Sequence, residues 1–567
     1  MKNRILLLIF SVFFVISCTS DFDEINENPT ALTAADVSAK YFVTNVQTGV
    51  YSPNRYPYWR GPIIHTDRYA GHTTFGFKEC WWSDGLGYTY TAGYTGAVWG
   101  WQAGTNGTLN AFTNFVKEGG TLENDQFYAI ALIMKGLYYQ RFTDTFGMVP
   151  YTEASNPDII TPVYDDQKTI YKGIIADLDT AIGLIGSNTT TGVGPQLLTD
   201  NDLFFNGNMQ DWKALANSLK LKVAMRAHEA VGEDFSVAAA TQAITGVLGD
   251  KDALITRDTE ISTWANAVYG DVWHPFYGGG HWNVGSVLLD LLRDNNDPRL
   301  TKYAKPLIGG TFEMTKPTSG TGVALYDEHM NFLISHLEKG TDGAGNSMTV
   351  TQATAADGTI TITVPEGTHY VGQPTRMNSK IKPYLWTKLF SKPADYIIQA
   401  KNQGKPIAPQ LVMTAAESHF LLAEAAVKGI GSGAETHYQN GLKHAMRLWG
   451  VSDADAATFL ANESIATLSG TKAEKLAQIA TQRWIALYTD GAEAWAVARD
   501  SGVPANLPGM SSTITDNDIY VMGDLNGVYP QRMRYGGDAY NKNGDNVNAA
   551  AAIQGADLQG TKLWWAK

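Results

Sequence analysis

Two runs of the chain carry residue types suited to recognising a sugar. The first is Trp81-Trp82-Ser83-Asp84, continuing to Tyr88 and Tyr90; the second is Trp273-His274, continuing to Tyr277, His281, Trp282 and Asn283. A flat aromatic face covers the apolar C–H face of a ring, and neighbouring polar groups fix its orientation by hydrogen bonds. The residues assigned to ligand binding on this ground are Trp81, Trp82, Tyr88, Trp273, Tyr277, His281 and Trp282, with Tyr326, Tyr370 and Trp386 behind them. Neither run has a helical period, so both read as loops. Adjacent Trp81 and Trp82 are expected to divide the work, one facing outward and one packed. Core packing competes with ligand contact at every one of these positions, because large cores also consume aromatic rings.

No catalytic constellation stands beside them. His228-Glu229 opens a zinc-protease motif, but position 232 is Gly where the second histidine belongs. Gly278-Gly279-Gly280 continues into neither a dinucleotide fingerprint nor a phosphate loop. Gly429-Ile430-Gly431-Ser432-Gly433 misplaces its serine for a nucleophile elbow. Near Asn541 to Asp545, Ala539 stands where a calcium loop wants Asp. No catalytic residue, metal ligand or cofactor is therefore assigned; a calcium site built from loops elsewhere stays open. Paired carboxylates for glycoside cleavage are spaced in three dimensions rather than in sequence. A surface glycoside hydrolase is thus the alternative to a binding protein, and an interaction scaffold without a small ligand is the other.

A different chemistry is written at the start. Lys2 and Arg4 precede an apolar run from Ile5 to Ile16, and small Ser17 precedes Cys18. Charge, length and cleavage context make residues 1–17 a secretory signal. The run is too short to span a bilayer, which takes about 20 residues. Val15-Ile16-Ser17-Cys18 resembles a bacterial lipobox, in which the cysteine becomes the acylated N-terminus. Asp21, Asp23 and Glu24 follow, as in the surface-export signal of Bacteroidetes-type lipoproteins. Residues 18–33, with Pro29, then read as a lipidated tether. With Cys18 acylated, Cys80 is the one cysteine left, which excludes an internal disulfide and suits a small buried apolar residue.

The rest must be a scaffold that positions the loops. The 567 residues suffice for a large core; 44% are hydrophobic and 17% charged. Loss of Lys2 and Arg4 with the signal takes the formal charge from -13 to -15, which argues against nucleic acid. The aromatic excess of 15 Trp, 27 Tyr and 21 Phe suits uncharged ring-shaped ligands. A helix is expected over 35–50 and a long aromatic loop region over 51–98. Spacings of three and four predict helices over 126–142, 169–185, 212–230, 415–428, 435–449, 472–489 and 492–499. Thr414 with Glu417 and Thr471 with Glu474 have the spacing of capping boxes, and Gly429 closes the helix that Thr414 opens. Trp212, Trp484 and Trp495 sit in helical register and read as core, and Arg141 and Arg226 as partners of carboxylates inside the scaffold. Between the helical groups, about 250–405 reads as an irregular lobe with one hairpin, Thr349-Val350-Thr351 against Ile360 to Thr363 across Asp357-Gly358. The tail 501–567 reads as an irregular wrap. The fold class is mostly α, with a helix-pair scaffold, a long loop-rich lobe and a small β-hairpin; no clean 34-residue repeat is present.

Several blocks in order resemble the SusD/RagB family of outer-membrane nutrient-binding lipoproteins. They are Asp21 to Asn26 with Asn28-Pro29, Tyr138 to Gly147 with Val149-Pro150-Tyr151, Ala176 to Ile182, Asp202 to Phe205, Trp212 to Lys220, Glu417 to Ala425, and Gln482 to Leu487 with Glu493-Ala494-Trp495. The resemblance runs from the signal to the C-terminal part. It implies one domain over 34–567 with a scaffold of four tetratricopeptide-like helix pairs, spanning about 35–250 and 409–500. It implies binding without catalysis, a glycan ligand, anchoring in the outer membrane at the cell surface, and a partner: a TonB-dependent SusC-like barrel transporter under the lipoprotein's lid.

Overall fold

The computed structural model describes residues 37–51, 59–75, 88, 90, 92–154, 156–257, 282–320, 322–374, 388–398, 407–510, 525 and 528–566. The signal, Cys18, the tether and Cys80 lie outside these.

Among the described residues, six α-helices of eight residues or more build the first half: α1 (Lys40–Val50), α2 (Ala92–Val116), α3 (Asp125–Phe146), α4 (Gln167–Ile185), α5 (Met209–Ala227) and α6 (Ser236–Ala243). Local chemistry sets their ends. The Asn124 side chain accepts hydrogen bonds from the backbone N–H groups of Gln126 and Phe127 and starts α3, while Gly147, at φ +85°, stops it. Asp166 and Asn208 cap α4 and α5 in the same way. Nearly all of α3 is buried, so it is an internal helix rather than an amphipathic one.

Two longer helices, α7 (Ser286–Asp294) and α8 (Gly322–Glu338), belong to the middle lobe. The second half holds α9 (Ala415–Val427), α10 (Ala434–Leu448), α11 (Asp453–Asn462), α12 (Lys472–Ala486), α13 (Gly491–Ser501) and α14 (Gly537–Gln554). Consecutive helices pack as pairs: α3 on α4, α5 on α6, α9 on α10 and α12 on α13. The chain is therefore mostly helical with a paired-helix scaffold, as expected. Trp212, Trp484 and Trp495 are fully buried in it.

Nine short strands are found among the described residues: β1 (Thr73–Phe75), β2 (Ala253–Arg257), β3 (Trp282–Val284), β4 (Gly310–Met314), β5 (Thr341–Asp342), β6 (Thr351–Thr354), β7 (Ile360–Val364), β8 (His369–Tyr370) and β9 (Ile407–Met413). All pairings are antiparallel: β1 with β3, β2 with β9, β5 with β8, and β4–β7–β6 in one three-stranded sheet. The expected hairpin is β6–β7, turning at Gly358 with φ +85°; it starts two residues later than its spacing suggests and gains β4 as a third strand.

Four expectations are corrected. Helix α2 begins at Ala92, inside the region read as loop; its Gly- and Thr-rich sequence has weak helical propensity, and packing on α1 and α3 holds it. The same region contains a π-helical segment, Trp59–Thr66. The tail is not wholly irregular, for α14 is 18 residues long, kinked at Asn543, whose side chain donates to the Pro162 carbonyl. The third correction is the middle lobe, which holds α7 and α8. Finally, Thr471 and Glu474 form a reciprocal capping box, but Thr414 and Glu417 do not. Thr414 Oγ1 accepts from the Glu417 N–H, while the Glu417 carboxylate turns inward to Lys222 at 3.0 Å and Arg483 at 2.9 Å.

That turn belongs to a buried ionic centre that ties the helix pairs together. Arg226 of α5 bridges Asp144 of α3 and Glu493 of α13. Arg483 of α12 also reaches Glu493, at 2.8 Å, and Lys222 lies 3.7 Å from it. Three cations thus face three carboxylates, all at most 5% exposed. Asp144 accepts further from Gln140, Tyr171 and the indole of Trp565, and Arg141 forms a two-pronged pair with Asp490. Both arginines have the structural role expected of them.

Buried histidines make the scaffold acid-sensitive. His72 Nε2 donates to the Trp484 carbonyl at 3.0 Å, and its ring lies on Trp484. Burial pushes its pKa down to about 3 from the ordinary 6.5, against the smaller pull of that hydrogen bond. A folded-state value below the unfolded one means the unfolded chain takes up the proton first. Stability is therefore complete above pH 6.5 and falls as the pH drops from 6.5 towards 3. The melting temperature is expected to decline already between pH 6.5 and 5, and less steeply in His72→Asn. Parallel wild-type and mutant curves over that range would contradict the assignment.

Candidate functional site

β1 and β3 pair with Phe75 opposite Trp282, which brings two distant parts of the sequence onto one ribbon. A third segment joins them. Gln373 forms backbone hydrogen bonds with Val284 and Ser286, and the Asn283 amide donates to its side chain at 2.5 Å. Ser391 accepts from the Val284 N–H and donates to Val371. Gln373 and Ser391 are thus both tied to the same ribbon. β2 ends where Arg257 pairs with Ile407 of β9.

The anchor is buried. Thr74, Asn283 and Gln373 are fully buried, and Gly285 is so close to the backbone of Gly71 that a Cβ would fall 2.0 Å from its carbonyl oxygen. Gly285 is needed for that close approach rather than for its backbone angles.

Trp81, Trp82, Trp273, Tyr277 and His281 lie outside the described residues, as does Trp386. Two of the assigned residues are corrected. Tyr88 and Trp282 are each 1% exposed and present no face to a ligand. Tyr88 donates to the Pro508 carbonyl and packs edge-on against Tyr69 and Tyr529; Trp282 is held inside by its place in the β1–β3 ladder. Tyr326 and Tyr370 are core residues as well. The reason is common to all four: a ring next to a strand or helix that already packs is drawn into that packing. Gln373 was not singled out from sequence, and Tyr90 was named only as the end of the first run. Gln373-Pro374 carries no local signal, and the Arg534 guanidinium lies 4.0 Å over the Tyr90 ring, a pairing only the fold creates.

Among the described residues no group of three or more His, Cys, Asp or Glu side chains is placed to hold a metal ion, and no helix is long and apolar enough to cross a membrane. Among the described residues the β1–β3 ribbon thus gathers Phe75, Trp282, Gln373 and Ser391 at one place in the fold.

A family described as starch-binding and associating with the outer membrane, SusD-like, matches residues 40–337 and 366–535. No curated protein matches the chain in sequence. Solved structures share the fold. A SusD-like protein from Bacteroides thetaiotaomicron is 22% identical, superposes with a TM-score of 0.67, and pairs 93% of this chain with 98% of that one. A SusD homologue from Bacteroides uniformis is 21% identical at a TM-score of 0.66, over 93% and 99% of the two chains. A chitin-binding protein is 23% identical at 0.65, over 93% and 99%.

Proposed function

The chain belongs to the SusD-like family of starch-binding proteins that associate with the outer membrane, and on that premise we propose that it is a cell-surface lipoprotein that captures an oligosaccharide without cleaving it and hands it to a TonB-dependent barrel. The observation that carries the reading is the β1–β3 ribbon, which pairs Phe75 with Trp282 of the second aromatic run. Trp81, Trp82 and Trp273 are the stacking faces in this reading, with Tyr277 and His281 beside them. Anchoring through Cys18 keeps the protein at the surface beside the transporter.

The test uses the mature protein with starch and chitin oligosaccharides, by affinity electrophoresis and calorimetry. Trp81→Ala, Trp82→Ala and Trp273→Ala are expected to weaken binding, since contact residues that matter cost more than about 1 kcal/mol, or roughly fivefold in affinity. Their melting temperatures should stay near wild type. Trp282→Ala should do the opposite and lose about 3–5 kcal/mol of stability, as truncation of a buried Trp does. Unchanged affinity in the three loop variants would remove those residues from the site. Shortened oligosaccharide after incubation would replace the binding reading with a hydrolase. Extraction of native membranes should recover a barrel with the lipoprotein; failure to do so would leave a free-standing binder.

A further inference from the structure

Three histidines meet far in sequence from the aromatic segments. His419 lies on α9, and His437 and His444, seven residues apart and so on one face, lie on α10. The His419 ring stacks on His444 at 5.2 Å with an 8° tilt and on His437 at 5.4 Å with a 29° tilt. Its Nε2 is 2.9 Å from the carbonyl oxygen of Gly249. A carbonyl can only accept, so Nε2 carries the proton and Nδ1 is a bare lone pair. That lone pair lies 3.1 Å from His437 Nδ1. His437 is partly exposed, so the pair is open to solvent on one side.

We propose that His419 Nδ1 and His437 Nδ1 form a binding site for a divalent transition-metal ion such as Cu(II) or Zn(II). Neutral imidazoles are the required ligands. Zinc–nitrogen bonds of about 2.0–2.1 Å at a tetrahedral angle put two donor nitrogens roughly 3.3 Å apart. The observed 3.1 Å needs an opening of only about 0.2 Å to meet that spacing. In the metal-free pair the proton between the rings sits on His437 Nδ1. On binding it moves to His437 Nε2, so both Nδ1 lone pairs face the ion and no net proton is lost. Donation from His419 Nε2 to a backbone carbonyl is the second contact that usually orients a metal-bound imidazole. His444 is not assigned as a ligand: its ring lies face to face on that of His419 at 5.2 Å. Its place is to cover the His419 face. Water completes the coordination, and two imidazoles favour Cu(II) over Zn(II) and bind neither Mg(II) nor Ca(II).

The experiment is calorimetric titration of the mature, tag-free protein with Cu(II), Zn(II) and Mg(II) at pH 7.5, with metal-induced change in melting temperature as a second measurement. Wild type is expected to take up one equivalent of Cu(II), more weakly Zn(II), and no Mg(II), and to melt higher with Cu(II). His437→Ala removes a partly exposed ring and should fold normally while losing at least tenfold in affinity. His444→Ala should keep the site. Binding by His437→Ala as tight as wild type, or no uptake by wild type at millimolar Zn(II) and Cu(II), overturns the proposal.

Discussion

Glu493→Ala is expected to cost about 3–5 kcal/mol of stability, the range for removing one partner of a buried ion pair. Glu493 faces Arg226, Arg483 and Lys222 and accepts from Gln140 at 3.3 Å, with 2% of its side chain exposed. Truncation leaves three buried cations facing only Asp144 and Glu417. At roughly 2–4 °C per kcal/mol for large domains, the melting temperature should fall by about 10 °C. Lys542→Ala is the matched control, because the Lys542–Asp538 pair is solvent-exposed and such pairs contribute at most about 1 kcal/mol. The pH profile adds a second check. Burial alone would raise the Glu493 pKa, but Arg226, Lys222 and Arg483 overcome it and hold the carboxyl well below its ordinary 4.5. A depressed carboxylate contributes stability that is present above its unfolded value and lost as the pH falls below it. This loss begins below about pH 4.5, whereas that of His72 begins below 6.5, so the two are separable in one titration. A Glu493→Ala protein melting within 2 °C of wild type would contradict the ionic centre as described.

Cys18→Ala is expected to move the protein almost entirely from the membrane fraction to the soluble one, with its melting temperature unchanged. The apolar run before Cys18 is too short to span a bilayer, and no described helix could serve instead. In the proposed reading, anchoring rests on acyl chains at Cys18. Each buried methylene contributes about 0.8 kcal/mol, and a single chain holds only marginally, so a multiply acylated cysteine is needed for stable attachment. Incorporation of labelled fatty acid into wild type and its absence in the variant measures the same step directly. Membrane retention of Cys18→Ala together with an unlabelled wild type would refute the lipid anchor.

Local patterns in the sequence determined a large part of this protein. Helices over 126–142, 169–185 and 472–489 are legible because a core-facing residue recurs every three or four positions, and the cap at Thr471 acts within one turn. The same register puts Trp212, Trp484 and Trp495 in the core, and Asp357-Gly358 supplies the hairpin turn. Tertiary structure alone decided the rest. Glu417 has the spacing of a capping residue, yet it turns to Lys222 and Arg483, because a buried cation left unpaired costs more than a missing cap. Helix α2 persists through Gly and Thr only because α1 and α3 cover it. Trp282 has the composition of a ligand face, but pairing with Phe75 buries it. That pairing joins residues some 200 positions apart, and the contacts of Asn283 with Gln373 and of Ser391 with Val284 around the same ribbon join residues about 100 apart. Periodicity reports which face of an element turns inward, and it carries no information about which distant strand lies against it. The aromatic segments could therefore be named from sequence, while the pairing of Phe75 with Trp282 on one ribbon is a property of the folded chain.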